Sequence, residues 1–296
     1  MNAFSLVKPR SLAEASALLG DGRRPLAGGT DLVPLVREGL VHAESLVDVR
    51  ALVPSGIDEL LSSSAPREEP RTRIGAGTTL AELERSERVP AALREACRLA
   101  ASPQLRNMGT IGGNLRQATR CWYWRLAFPC YLHGGERCHA REGEHREHAI
   151  FAADRCASAH PSDPAAALLA LSATIETDRR RVPLRDLYRL PTDEDRDVVA
   201  LEPGELILAL HVPGADASAY LKAMDRQAWS FPLVGVAAAR FGTDVRLALA
   251  GVAPIPWELP SSEALENATP LPGTGYKVEI ARALVRRALA AVGGQA

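Results

Sequence analysis

Pro25-Leu26-Ala27-Gly28-Gly29-Thr30-Asp31-Leu32 is the stretch on which the reading of this chain turns. A short apolar run enters two consecutive glycines, and a hydroxyl and a carboxylate follow at once. Glycine lets a backbone approach a ligand closely and present several N–H groups in one concavity, an arrangement that binds pyrophosphate and other anions. A second turn of the same kind, Thr110-Ile111-Gly112-Gly113-Asn114, lies further along, again beside a predicted strand end. Neither matches the Rossmann or the P-loop signature. One Gly-Gly turn is more often only a turn. Two of them point to a dinucleotide and no further.

Working outward, short strands alternate with helices. Ser11-Leu12-Ala13-Glu14 reads as a capping box opening a helix that runs to Gly20, and Thr79-Leu80-Ala81-Glu82 as a second one. Strands are predicted over residues 45–49 and 73–76, and a helix over 90–100 that stops before Ser102-Pro103. Residues 164–171 form an apolar helix, for which Asp163 reads equally as an N-cap with proline at the first position. A Pro-, Asp- and Glu-rich stretch, 191–204, leads into a strand over 205–212, and Pro213-Gly214 marks a boundary. Beyond it, residues 220–223, 233–241 and 245–252 alternate as an antiparallel sheet does, and a helix over 278–292 follows. The fold class is α+β.

Four of the five cysteines, Cys121, Cys130, Cys138 and Cys156, fall within 36 residues rich in His, Arg, Glu and aromatics, with neither a helical nor a strand period. The stretch reads as an irregular insertion organised around a metal. Four thiolates bind zinc tetrahedrally or hold an iron–sulfur cluster, and the spacing lacks the C-x2-C knuckles of structural zinc. Five of the seven histidines lie nearby, so a mixed Cys/His zinc site stays open. Cys97, on a predicted helix, reads as a buried thiol.

Bulk properties narrow the partners. Lys plus Arg number 35 against 36 Asp plus Glu, so no basic surplus exists to neutralise a nucleic-acid backbone. At 46% hydrophobic residues the chain has enough apolar material for a core without a structural metal. The longest apolar run, near residues 165–175, is too short for the ~20 residues that span a bilayer. The first residues lack the apolar run of a signal peptide, so the cytoplasm is expected, with export carried by a partner left open.

The two glycine loops, in this order and at this separation, resemble the FAD-pyrophosphate loops of the flavoprotein (medium) subunits of the xanthine dehydrogenase, or molybdenum hydroxylase, family. The resemblance runs from about Phe4 to the end. It implies a two-subdomain FAD-binding domain of the PCMH type over residues 1–213 and a smaller antiparallel-sheet-plus-helices domain over 214–296, with the flavin between them. Carried over, Pro25 to Leu32 and Thr110 to Asn114 would wrap the pyrophosphate through main-chain N–H groups. Ala100 would touch the flavin through its backbone. Asp163 would hold a ribityl or ribose hydroxyl, and Lys222 and Phe231 would line the flavin site from the second domain. Taken alone, Lys222 reads as a surface lysine and Phe231 as a core aromatic.

Thr119-Arg120-Cys121-Trp122-Tyr123-Trp124 and Asp154-Arg155-Cys156 resemble the ends of the insertion, here about residues 119–158, that carries a [4Fe-4S] cluster in the 4-hydroxybenzoyl-CoA reductase type. The shorter interval between Cys121 and Cys130 is closer to bacterial aldehyde-oxidising members. The resemblance implies an electron-transfer subunit with no catalytic residue of its own. It would pass electrons between the [2Fe-2S] centres of a small partner subunit and an external acceptor or donor such as ferredoxin, while a large partner carries the molybdenum cofactor. A zinc-stabilised, non-redox binding or scaffold module is the alternative.

Overall fold

In the computed structural model, which describes residues 3–60 and 71–294, the chain opens with three short strands, β1 (Ser5–Val7), β2 (Arg23–Leu26) and β3 (Ser45–Asp48). They form a parallel sheet in the order β1-β3-β2. Parallel neighbours need a crossover, and the helices Leu12–Leu18 and Leu32–Arg37 supply the two. The Ser11 hydroxyl caps the first helix by accepting from the Glu14 N–H at 3.1 Å. The Glu14 carboxylate accepts from Arg10 N–H instead of Ser11, so the expected capping box forms only half. The Thr79–Glu82 box is complete.

A second sheet has the order β4-β5-β8-β6-β7 and is antiparallel throughout. Its strands are β4 (Ile57–Leu60), β5 (Arg71–Gly75), β6 (Thr174–Thr177), β7 (Arg181–Pro183) and β8 (Ile207–Pro213). At the Pro213-Gly214 break the chain leaves this sheet for a third one, order β12-β11-β10-β9, built from β9 (Ala217–Ala223), β10 (Val234–Phe241), β11 (Asp244–Ala250) and β12 (Trp257–Leu259). Strands β1, β4, β6, β7 and β12 escaped the sequence reading. Three or four residues leave too little alternation to see a period.

The helix Asp163–Ala170 is buried at every position, which places it between layers rather than on a surface. It shares one apolar cluster with Ile74, Leu93, Ile175, Leu210, Ala237 and Ala248, so the core runs from the second sheet into the third. The helix Tyr276–Ala291 covers the other face of the third sheet through Leu284, Val285 and Ala288. Ile150 and Phe151 join that cluster, and their N–H groups donate to Val252 O at 2.8 and 2.9 Å. The cysteine-rich stretch is thereby fastened to the third sheet. It contains two helical turns, Trp122–Arg125 and His139–Glu142, where no regular structure was expected. Cys97 is fully buried, and burial pushes its thiol far above the ordinary range.

Candidate functional site

The two glycine loops meet. A Cβ on Gly28 would stand 2.0 Å from the Met108 carbonyl oxygen, so only glycine lets the first loop lie against the segment that leads into the second. Gly29 has φ +71°, the left-handed region where other residues are strained. In the first loop, the N–H groups of Gly28, Gly29 and Thr30 donate to no main-chain carbonyl among the described residues. They form the kind of open donor array that an anion satisfies.

The second loop differs from expectation. Ile111, Gly112, Gly113 and Asn114 are not a free turn; they lie in a short helix, Ile111–Leu115, with Thr110 as its N-cap. The Ile111 and Gly112 N–H groups donate to Thr78 O and Ala76 O, each at 2.9 Å. Gly113 N–H donates to Thr110 Oγ1, and Asn114 N–H to Thr110 O. All four main-chain donors are engaged inside the protein. A Cβ on Gly112 would sit 2.9 Å from that of Ala76, so this glycine serves close packing. Asn114 Oδ1 accepts from Ser162 Oγ at 2.6 Å, which ties the loop to the start of the buried helix.

Asp31 links the first loop to the cysteine-rich stretch. Its carboxylate accepts from Ala118 N–H at 2.8 Å and pairs with Arg120 at 2.8 Å and Arg125 at 3.1 Å. Arg120 and Arg125, together with Phe231, His148, His160 and Cys121, line a cavity of about 300 Å³. The Arg120 guanidinium stands over the Phe231 ring, 4.9 Å from its centroid. Phe231 is 49% exposed, so it is not the core aromatic that its type alone suggested. Two donors on this wall have no partner, Arg120 Nε and His160 Nε2. Burial pushes the His160 imidazole down to about 3, so the ring is neutral at ordinary pH. Its Nδ1 accepts from Ser162 N–H at 3.4 Å, which leaves the proton on the orphaned Nε2.

Asp163, Lys222 and Ala100 sit together in the interior. Lys222 Nζ donates to Asp163 Oδ2 at 2.8 Å and to Leu99 O at 3.0 Å, next to the buried Ala100. The Tyr220 hydroxyl donates to the other Asp163 oxygen. Burial pushes the Asp163 carboxyl up, and the Lys222 ammonium opposes that shift. Lys222 is therefore no surface lysine. Nor is Asp163 the helix cap: Ser162 caps, with its hydroxyl accepting from Ala165 N–H at 3.0 Å, and Asp163 is the first helical residue.

The four clustered cysteines line one small cavity, with Tyr123, Trp124, Tyr131, Leu132, His139, Ala140 and Ser158 as the remaining wall. Among the described residues, no three His, Cys, Asp or Glu side chains are grouped so that they could hold a metal ion. All five cysteines are free. Cys138 is drawn down to about 5 by a hydrogen bond from the Cys156 thiol, helped by the Ala157 N–H at 3.4 Å. Cys156 is pushed up correspondingly, and burial pushes Cys121 up to about 11. Cys121 lines both cavities.

Sequence reasoning missed Arg125 and Tyr220, and counted His148 and His160 only among the five histidines open as zinc ligands. Arg120 stood in a quoted motif without a role. Their one common signal was composition, the crowding of Arg, His and aromatics around the cysteines.

A family model described as the FAD binding domain in molybdopterin dehydrogenase matches residues 2–215. The chain belongs to the FAD-binding subunits of the molybdenum hydroxylase family. This FAD-binding subunit is 37% identical over 280 residues to the aldehyde oxidoreductase FAD-binding subunit PaoB of Escherichia coli strain K12, covering 89% of this chain and 86% of that one. It is 43% identical over 119 residues to the carbon monoxide dehydrogenase medium chain of Afipia carboxidovorans, 38% of each chain. It superposes on a chain of the crystal structure of cyanide-inactivated Cu,Mo-CO dehydrogenase with a TM-score of 0.70 at 26% identity, covering 98% of both. The α+β architecture and antiparallel third sheet of the FAD-binding subunit agree with that neighbour. Among its described residues, no helix is long and apolar enough to cross a membrane.

Proposed function

We propose that this chain is the FAD- and [4Fe-4S]-carrying electron-transfer subunit of a molybdenum hydroxylase complex of the aldehyde-oxidising type. Its partners are a large subunit with the molybdenum cofactor and a small subunit with [2Fe-2S] centres. Electrons pass between those centres and an external acceptor or donor such as ferredoxin. FAD supplies the two-electron to one-electron exchange, and the cluster supplies a one-electron site beside it.

The residues present fit the flavin. The unengaged N–H groups of Gly28 and Gly29 suit the pyrophosphate. From there the Asp31–Arg120 pair leads to the 300 Å³ cavity, where Phe231 offers an apolar ring face. The Arg120 guanidinium and the His160 ring on its wall supply N–H groups, which suit the acceptor-rich edge of an isoalloxazine. The Asp163–Lys222 pair joins β9 to the buried helix and is not among the residues that line this cavity.

They also fit a cluster. The observation that carries this reading is that the four thiols of the 36-residue stretch line one cavity. A single zinc at about 2.3 Å from each sulfur needs the thiolates closer together than a polynuclear cluster does, since iron and sulfide stand between them. The free cysteines suit a reducing compartment, in keeping with a cytoplasmic complex.

Purification of the assembled complex under anaerobic conditions tests the proposal. Flavin bands with a broad iron–sulfur absorption, and iron and acid-labile sulfide in this subunit at four per chain, are the expected result. Stoichiometric zinc without iron would replace the cluster by a structural metal.

A further inference from the structure

Cys121 is the wall that the two cavities share, with the other three cysteines on one side and Arg120, His148 and Phe231 on the other. His148 Nε2 lies 3.2 Å from Cys121 Sγ. The imidazole is 2% exposed, meets the Trp122 ring edge-on at a centroid distance of 4.6 Å, and has no partner at Nδ1. Its backbone is held from the C-terminal helix. Lys277, wholly buried near the start of Tyr276–Ala291, donates from Nζ to His148 O at 2.8 Å, Glu147 O at 3.1 Å and Gly251 O at 2.6 Å. A lysine that spends all three donors on main-chain carbonyls in the interior costs desolvation energy, which the nearby Glu147 carboxylate offsets only in part. Together these bonds fix the main chain at Glu147 and His148 against Gly251.

We propose, on the reading that the cysteine cavity holds an iron–sulfur cluster, that His148 is a positioning residue for it: fixed by Lys277, it donates an N–H···S hydrogen bond to Cys121, the ligand that faces the flavin-ring cavity. A thiolate bound to iron carries no proton and can only accept, so the ring proton belongs on Nε2 and the lone pair on Nδ1. The absence of a partner at Nδ1 agrees with that tautomer, since a second proton there would lie buried and unsatisfied. Hydrogen bonds to ligand sulfurs stabilise the more electron-rich, reduced cluster and raise its potential. The bond is on the sulfur between the two redox cavities, so it acts where electrons would cross.

The test uses the assembled complex with His148→Phe and His148→Gln, reading the cluster midpoint potential by EPR-monitored redox titration alongside iron, sulfide and FAD content. Wild type is analysed first; flavin without iron would sink the cluster reading and this inference together. With iron present, His148→Phe is expected to shift the cluster to a more negative potential in the FAD-loaded fraction, and His148→Gln, whose amide can still donate, to recover part of the shift. An iron-loaded His148→Phe protein titrating at the wild-type potential overturns the role of His148 alone. Should His148→Phe lose iron, rescue by Gln supports the donor role, and equal loss in Gln overturns it in favour of ring shape.

Discussion

The Lys222 ammonium donates to the Asp163 carboxylate at 2.8 Å, with side chains 0% and 3% exposed. Tyr220 and Lys222 are two apart on β9 and so reach the same side, while Asp163 begins the helix that lies between the sheets. Removing one partner leaves a buried charge unpaired, at a cost of about 3–5 kcal/mol. Lys222→Met is expected to lower the unfolding free energy by that order in urea titrations. The double variant Asp163→Asn/Lys222→Met should lose clearly less than the sum of the two single changes, because the second change removes the orphaned charge.

Gly28→Ala tests the meeting of the two loops. With a Cβ 2.0 Å from the Met108 oxygen, the first loop must move away from the second. FAD affinity is expected to fall at least tenfold, roughly 1.4 kcal/mol or more, measured by flavin release and rebinding. Retention of wild-type affinity would show that the pyrophosphate does not depend on this contact.

Asp31→Ala separates the first loop from Arg120 and Arg125 and leaves both cations without their shared carboxylate. Flavin binding is expected to weaken by about five- to fiftyfold, on the order of 1–2 kcal/mol. The iron content should fall less than the flavin content, because Asp31 bonds Ala118, Arg120 and Arg125 and none of the four cysteines. Flavin and metal analysis of one preparation checks both halves.

Cys130→Ser replaces one of four thiols around the cysteine cavity by a harder oxygen ligand. Iron and labile sulfide are expected to drop well below the wild-type ratio while FAD remains. Equal loss of both cofactors would mean that the insertion is needed for folding as a whole.

Glu205 predicts an acid limit. Burial pushes its carboxyl up, but the Arg180 guanidinium, the Glu202 N–H and the Thr177 hydroxyl outweigh that and bring it down to about 2. A folded-state value below the ordinary 4.5 means stability that is fully present above pH 4.5 and lost as pH falls toward 2. Glu205→Gln should flatten the fall in melting temperature across that window, checked by thermal scans from pH 6 to 3.

Local chemistry determined a good part of this molecule from the sequence alone. The Gly-Gly pairs marked both loops because backbone approach depends on the missing side chain, and the Thr79–Glu82 box marked its helix because capping acts over three residues. The cysteine cluster was visible as a composition that no core explains. What only the tertiary structure decided is which groups remain free. The N–H groups of Ile111 and Gly112 look as available in the sequence as those of Gly28 to Thr30, and are engaged because Thr78 and Ala76 fold against them. Lys222 reads as a surface lysine until Asp163, 59 residues earlier, is brought beside it. His148 and Lys277 carry no motif, and their geometry about Cys121 exists only because the C-terminal helix packs across the third sheet. Hydrogen-bond satisfaction and burial are sums over neighbours distant in the chain, and no window of sequence contains those neighbours.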